Sequence, residues 1–337
     1  MSRSSRIEGF YKLSVEERLR LVKEFAGLTD EECRALSGEA GLSLKSADKM
    51  VENAVGTFAM PLGIATNFLI NGRDYLVPMA IEEPSVVAAA SNAAKMARDK
   101  GGFTTSSTPP VMIGQVQVTD VKDPEVAVRR LQEEKARLLK LANEQDPMLV
   151  SLGGGARDLE ARVIQTMHGP QVVVHLKVDV RDAMGANAVN TMAEATAPVI
   201  EEITGGRVYL RILSNLAVFR VARAEAVWSK EAIGGEEVVD GVVQAYAFAE
   251  ADPYRCATHN KGVMNGIDSV IIATGNDWRA IEAGAHAYAS MSGAYKPMTR
   301  FEKTPEGDLR GTIEVPMAVG LVGGATKVHP SAKACVR

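Results

Sequence analysis

The chain has 337 residues, more than one hydrophobic core usually holds, so two domains are expected. Apolar residues make up 46% and charged residues 24%, the make-up of a globular protein rather than a disordered or fibrous one. A net charge of -4 gives no basic field for nucleic acid or an anionic membrane. The three cysteines, Cys33, Cys256 and Cys335, are few and far apart, which fits a reducing cytoplasm and argues against a disulfide framework or a cysteine-based metal site. The opening residues MSRSSRIEGFYKLS lack the apolar stretch of a signal peptide. The longest apolar run, residues 54–70, holds proline, asparagine and two glycines, so no membrane span is expected.

Two capping boxes, Ser14–Glu17 (SVEE) and Thr29–Glu32 (TDEE), each predict a short helix in an N-terminal arm. The alanine-rich residues 84–99 predict a helix with Pro84 at its first position and Glu83 just outside it. VMIGQVQVTDV (111–121) reads as a strand. A helix follows, capped by Asp123, with Pro124 at its first position, and runs to about Ala142. Two strand-like runs flank the turn HGP, which holds His168. A further helix ends at Gly205-Gly206, and VYLRILS closes the series as a strand. The order β-α-β-β-α-β is the ferredoxin-like split pattern.

Beyond residue 215 come a strand, a helix near 236–250, another near 277–291, and a hairpin turning at 305–308. The fold class read from this is α+β. A large α/β domain, residues 1–108 and 217–337, receives an inserted ferredoxin-like small domain, residues 109–216.

Lys261 is the only formally charged residue between Arg255 and Asp268, and it sits among Asn260, Gly262, Asn265 and Gly266. It reads either as a solvated loop lysine or as a cation aimed at a carbonyl oxygen that gathers negative charge in a transition state. Asp277 could hold such a lysine, or could simply cap the helix that follows. Glu82 and Glu83 likewise either complement a helix dipole or include a general acid. In DVRDAMGANAVNTMAEA (179–195), Gly185 and Ala186 open a helix after Asp182, either as an anion site or for close packing. No G-x-G-x-x-G, P-loop or G-x-S-x-G is present. The five histidines, His168, His175, His259, His286 and His329, lack ligand spacing, so no catalytic metal is expected.

Taken together, ENAVGTF, NGRDYLVPMAIEEPSVVAAAS, GGFTTSS, DVRDAMGANAVNTMAEA, RILSNLA, DPYRCATHNKGVMNGIDSVIIATGNDWRAIEAGAHAYA and GLVGGATK resemble the class II, bacterial and soluble, 3-hydroxy-3-methylglutaryl-coenzyme A (HMG-CoA) reductases. The resemblance runs in order over nearly the whole chain. It implies a large domain for the acyl-CoA and an inserted small domain for the nicotinamide cofactor. The implied reaction interconverts HMG-CoA and mevalonate plus coenzyme A by two hydride transfers, through a hemithioacetal and mevaldehyde, in mevalonate catabolism.

By motif, the resemblance implies that Glu83 gives and takes a proton, Lys261 steadies the oxyanion, and Asp277 links the two. Ser85, Arg255 and Asn265 hold the hydroxymethylglutaryl group, Arg255 through its free carboxylate. Asp146, Asp182, Met184, Gly185, Asn187 and Asn215 line the dinucleotide. A carboxylate at Asp146 favours the 2′-OH of NAD(H) over a 2′-phosphate. A cytoplasmic homodimer, extending to a trimer of dimers, is also implied. The family's mobile C-terminal flap and its thiolate-protonating histidine find no match here. That departure implies a form that binds HMG-CoA, coenzyme A, mevalonate and cofactor but turns them over poorly.

Overall fold

The computed structural model describes residues 4–337. In chain order the chain forms helices α1 (Val15–Ala26), α2 (Asp30–Leu36) and α3 (Leu44–Ala47), strands β1 (Leu62–Ile70) and β2 (Arg73–Ala80), helix α4 (Val86–Ala97) and strand β3 (Phe103–Ser107). Next come β4 (Val111–Thr119), α5 (Pro124–Glu133), α6 (Lys135–Asn143), α7 (Pro147–Ser151), β5 (Gly155–Thr166), β6 (Gly169–Asp179), α8 (Ala186–Thr204) and β7 (Arg207–Ser214). The last part holds β8 (Val221–Trp228), α9 (Lys230–Ile233), α10 (Glu236–Ala251), α11 (Pro253–Ala273), α12 (Trp278–Ala289), β9 (Thr299–Lys303), β10 (Leu309–Pro316), α13 (Gly324–Val328) and α14 (Pro330–Cys335).

The chain divides into two compact units. Among the described residues the larger spans 4–107, 222–315 and 321–337, and the smaller 108–221 with 316–320. The smaller unit thus takes in a short stretch, Pro316–Gly320, from far along the chain.

The larger unit is built on a six-stranded sheet in the order β2-β1-β3-β8-β10-β9. β1 and β2 form a hairpin whose Asn71-Gly72 turn has positive φ at both residues (49° and 77°). That is the geometry a tight hairpin needs, and Asn-Gly is the pair that adopts it at least cost. Phe68 stacks on Phe103, and Trp228 meets Phe103 edge-on. The Trp228 indole N–H donates to the Ala93 carbonyl at 3.0 Å, tying α4 to the sheet. Both expected capping boxes are present on α1 and α2.

The smaller unit is a four-stranded antiparallel sheet in the order β5-β6-β4-β7, which is the ferredoxin-like arrangement. Met112, Val116 and Val118 alternate along one face of β4 and are fully buried. Val189, Met192 and Ile200 of α8 are likewise fully buried. Gly114 of β4 lets α8 approach, since a Cβ there would meet Val189 at 3.0 Å.

Three sequence expectations need correction. The helix after Glu83 does not begin at Pro84. Ser85 sits in the left-handed region (φ 74°), which no helical residue can occupy, so α4 begins at Val86. The helix expected from 124 to 142 is two helices, broken at Glu134 (φ -90°, ψ 6°). Lys261 is not on a loop: it lies in the middle of α11.

Candidate active site

Lys261 is placed by its neighbour. Successive helical residues lie about 100° apart around the axis. Asn260 is fully buried: its amide donates to the Lys296 carbonyl at 3.0 Å and its carbonyl accepts from the Met298 N–H at 2.9 Å. Cys256 and Met264, one turn either side, are buried with it. Pinning that face inward turns Lys261 to the open side of α11. There its ammonium ion-pairs with the carboxylate of Glu83, which lies in the short turn between β2 and α4.

The two side chains are 59% and 42% exposed. A pair so exposed contributes under about 1 kcal/mol to stability. The fold therefore gains little from placing an ammonium against a carboxylate that is 178 positions away in sequence. Beside Glu83, Ser85 holds its left-handed backbone with no side-chain cap on α4. A non-glycine residue kept there costs on the order of 1 kcal/mol, and such outliers gather at functional positions.

Asn265 follows Lys261 by one helical turn and so shares its face. Arg255 lies in the first turn of α11, its backbone N–H bonded to the Asp252 carboxylate at 2.7 Å. Its guanidinium makes no ion pair among the described residues and lowers the pKa of His259, adding to the larger effect of that ring's burial.

Asp277 caps a helix in this chain. Among the described residues it forms no ion pair with Lys261. Its Oδ1 instead accepts the Ala280 N–H at 3.0 Å as the N-cap of α12, with the Arg279 guanidinium 3.8 Å away.

Two features of this unit had no clear signal in the sequence. The first is Asp268, two turns beyond Lys261. Its Oδ1 is buried without a hydrogen-bond partner. Burial, and then the adjacent Glu282 carboxyl, push its pKa up to about 7. The second is a cavity of about 860 Å³ that reaches Ser85 and Asn92 and carries Arg6, Lys12, Arg18 and Lys95 on its walls. Among the described residues, Glu8 is its only acidic lining residue. Scattered through an N-terminal arm and one helix, those cations form no run that sequence would show.

In the smaller unit, Asp182, Met184, Gly185 and Asn187 share the turn that opens α8. Gly185 is the N-cap, with φ 102° and no side-chain cap. A Cβ there would meet Val180 at 2.5 Å, so only glycine fits. The first-turn amides of this 19-residue helix are left for an anion. Asp146 caps α7 through the Leu149 N–H at 2.9 Å. α7 reaches the end of β6 because Gly154 has no side chain: a Cβ would meet Leu149 at 2.6 Å and the Asp179 carbonyl at 2.7 Å. Asn215 is exposed at the end of β7. Among the described residues no cluster of His, Cys, Asp and Glu could hold a metal.

A ferredoxin-like module set into a larger α/β unit, with a lysine–glutamate pair on the larger unit and an open helix N-terminus on the smaller, defines a two-domain enzyme architecture. The family model for hydroxymethylglutaryl-coenzyme A reductase matches residues 14–337. The 3-hydroxy-3-methylglutaryl-coenzyme A reductase of Archaeoglobus fulgidus is 66% identical over 330 residues, covering 98% of this chain and 75% of that protein. A probable reductase of the same kind from Borreliella burgdorferi is 36% identical over 285 residues, covering 82% of this chain and 63% of that one. The class II 3-hydroxy-3-methylglutaryl-CoA reductase of Streptococcus pneumoniae, solved bound to NADPH in open conformations, superposes with a TM-score of 0.94 at 43% identity. That match covers 97% of this chain and 90% of that one. The chain belongs to the hydroxymethylglutaryl-coenzyme A reductase family.

Proposed function

We propose that the chain interconverts HMG-CoA and mevalonate plus coenzyme A. In the reductive direction the thioester takes two hydrides and two protons, releasing an alcohol and a thiol. The observation that carries this reading is the Lys261–Glu83 pair, held across the fold with almost no return in stability. The Lys261 ammonium supports the oxygen of the thioester carbonyl as each hydride arrives at carbon. Glu83, adjacent to it, exchanges the proton that this oxygen gains or loses. Arg255 offers a two-pronged donor to the substrate's free carboxylate, and Ser85 and Asn265 give hydrogen bonds on the same side. The basic cavity carrying Arg6, Lys12, Arg18 and Lys95 suits the phosphates of coenzyme A. Asp277 makes no ion pair with Lys261 among the described residues of one chain, so the part that the resemblance implies for it is left to the homodimer.

A nicotinamide dinucleotide supplies and accepts the hydrides when bound. The residues of the smaller unit fit it. The uncapped α8 N-terminus and the side-chain-free Gly185 suit a diphosphate, with Asp182, Met184, Asn187 and Asn215 around it. Asp146 spends one oxygen on the Leu149 N–H, and the other remains for a ribose hydroxyl. That favours NAD(H), and with it mevalonate oxidation, over NADP(H). The S. pneumoniae relative was solved with NADPH, so titrating NADH against NADPH is the test of this preference. A homodimer goes with this reading. No helix of the described residues is long and apolar enough to cross a membrane.

The test is NADH formation from mevalonate, coenzyme A and NAD. Lys261→Ala should lower turnover by about 10²- to 10³-fold with an unchanged melting temperature. Turnover within a few-fold of wild type would remove Lys261 from the chemistry. Calorimetric binding of HMG-CoA and NADH with no turnover by the wild type would reduce the reading to a binding protein.

A further inference from the structure

Arg220 lies in the turn between β7 and β8 and is 8% exposed. No carboxylate lies within ion-pair distance of it among the described residues. Burial draws its pKa down, and the charges of Asp179 and Asp182, further off, draw it back up. A buried guanidinium without a carboxylate is expensive unless backbone groups satisfy it. Here three carbonyls do so. Its Nη1 donates to Ala183 at 2.9 Å and to Met184 at 3.1 Å, and its Nη2 donates to Val319. The Arg220 carbonyl in turn accepts the Met317 N–H at 2.8 Å. One residue therefore joins the turn before α8 to the distant stretch Pro316–Gly320, all within the smaller unit. The join is tight: a Cβ on Gly320 would stand 2.4 Å from the Met184 nitrogen.

The consequence follows from the planar trans peptide. Its carbonyl and its N–H point in opposite directions. With the Met184 carbonyl held by Arg220, the Gly185 N–H of the same peptide is held on the opposite side. That peptide leads directly into the N-cap of α8, whose first-turn amides carry no side-chain cap. We propose that Arg220 is the positioning residue of the dinucleotide site: its fork fixes the backbone at Ala183–Gly185 and ties it to Pro316–Gly320. This rests on the smaller unit holding a nicotinamide dinucleotide. Nothing in the sequence around Arg220 marks it, because all its partners are backbone atoms of distant segments.

The experiment uses Arg220→Lys, which keeps the charge but loses the fork, and Arg220→Met. NADH, NADPH and coenzyme A are titrated separately into wild type and variants, and hydrogen exchange is followed in peptides covering 180–187 and 316–320. In Arg220→Lys, whichever dinucleotide the wild type prefers should bind at least about tenfold more weakly, consistent with losing one or two charged hydrogen bonds. Coenzyme A should bind within twofold of wild type, and exchange should speed up in both peptides together while the β4–β7 ladder stays protected. Unchanged dinucleotide binding, equal weakening of both ligands, or exchange that rises across the whole sheet would each overturn the proposal. If Arg220→Met fails to fold, Arg220→Lys decides. If the wild type binds neither dinucleotide, the functional reading falls with the proposal, and exchange confined to the two peptides would show that only the clamp survives.

Discussion

Asp268→Asn should remove a pH dependence from the stability of the fold. The Asp268 carboxyl lies against Glu282, between α11 and α12, and burial first, then Glu282, raise its pKa from 3.8 to about 7. A raised native-state value means the folded protein keeps a proton that the unfolded chain has released. The stability this group contributes is therefore fully present at low pH and is lost as pH climbs from about 4 through 7. Between about pH 5 and pH 7 the difference amounts to ~2.7 kcal/mol at most, at about 1.36 kcal/mol per unit. Partial solvent access and the sharing of charge with Glu282 bring the expected figure to about 1–2 kcal/mol. Asparagine cannot ionise, and its amide can donate to Glu282, so the variant keeps the low-pH arrangement throughout. Urea unfolding across about pH 5 to 8 reads the difference. Wild-type stability should fall relative to Asp268→Asn by that amount on raising the pH. Parallel profiles would show that the two carboxyls do not share a proton, and would refute the raised value at Asp268.

Other outcomes follow from the same geometry. Gly320→Ala places a methyl group against the Met184 backbone and should cost about 1–3 kcal/mol while weakening dinucleotide binding, read by thermal unfolding and titration. Asp146→Ala should raise kcat/KM with NADP relative to NAD, and a wild-type preference for NADP would itself rule out the role assigned to Asp146. Arg18→Glu should weaken coenzyme A binding and flatten its dependence on salt, with mevalonate affinity untouched. Lys261→Met should change the free energy of unfolding, read by urea titration, by less than about 1 kcal/mol, because the pair it breaks is exposed.

Features carried by short-range rules were legible in the sequence. The capping boxes at Ser14 and Thr29 need only four residues each, and the strand and helix order from β4 to β7 follows from periodicity and glycine stops. The hairpin of β1 and β2 has its signal in Asn71-Gly72, although the apolar run before it reads first as a membrane-span question. α11 was hidden because Asn260, Gly262, Asn265 and Gly266 are poor helix formers. Burial of Cys256, Met264 and Ile271 overrides that preference. The break at Glu134 and the left-handed Ser85 follow from packing that no local pattern records. For the site, the roles of Lys261 and Glu83 came from resemblance, and their meeting came only from the fold. Asp277 illustrates the opposite case: the plain reading of an aspartate before a helix, as its cap, is what a single chain displays.

The smaller unit is spliced into its host at a narrow seam. β3 and β8 are antiparallel neighbours, with Ser107 registered opposite Ala222. The very next residues, Thr108 and Val221, hydrogen-bond to each other. The module therefore leaves and re-enters through two adjacent strands, as an overgrown hairpin loop would. A short turn joining Ser107 to Ala222 would close the sheet in its existing register. Apart from the added stretch Pro316–Gly320, the smaller unit is an insertion at that seam on which the larger sheet's strand register does not depend.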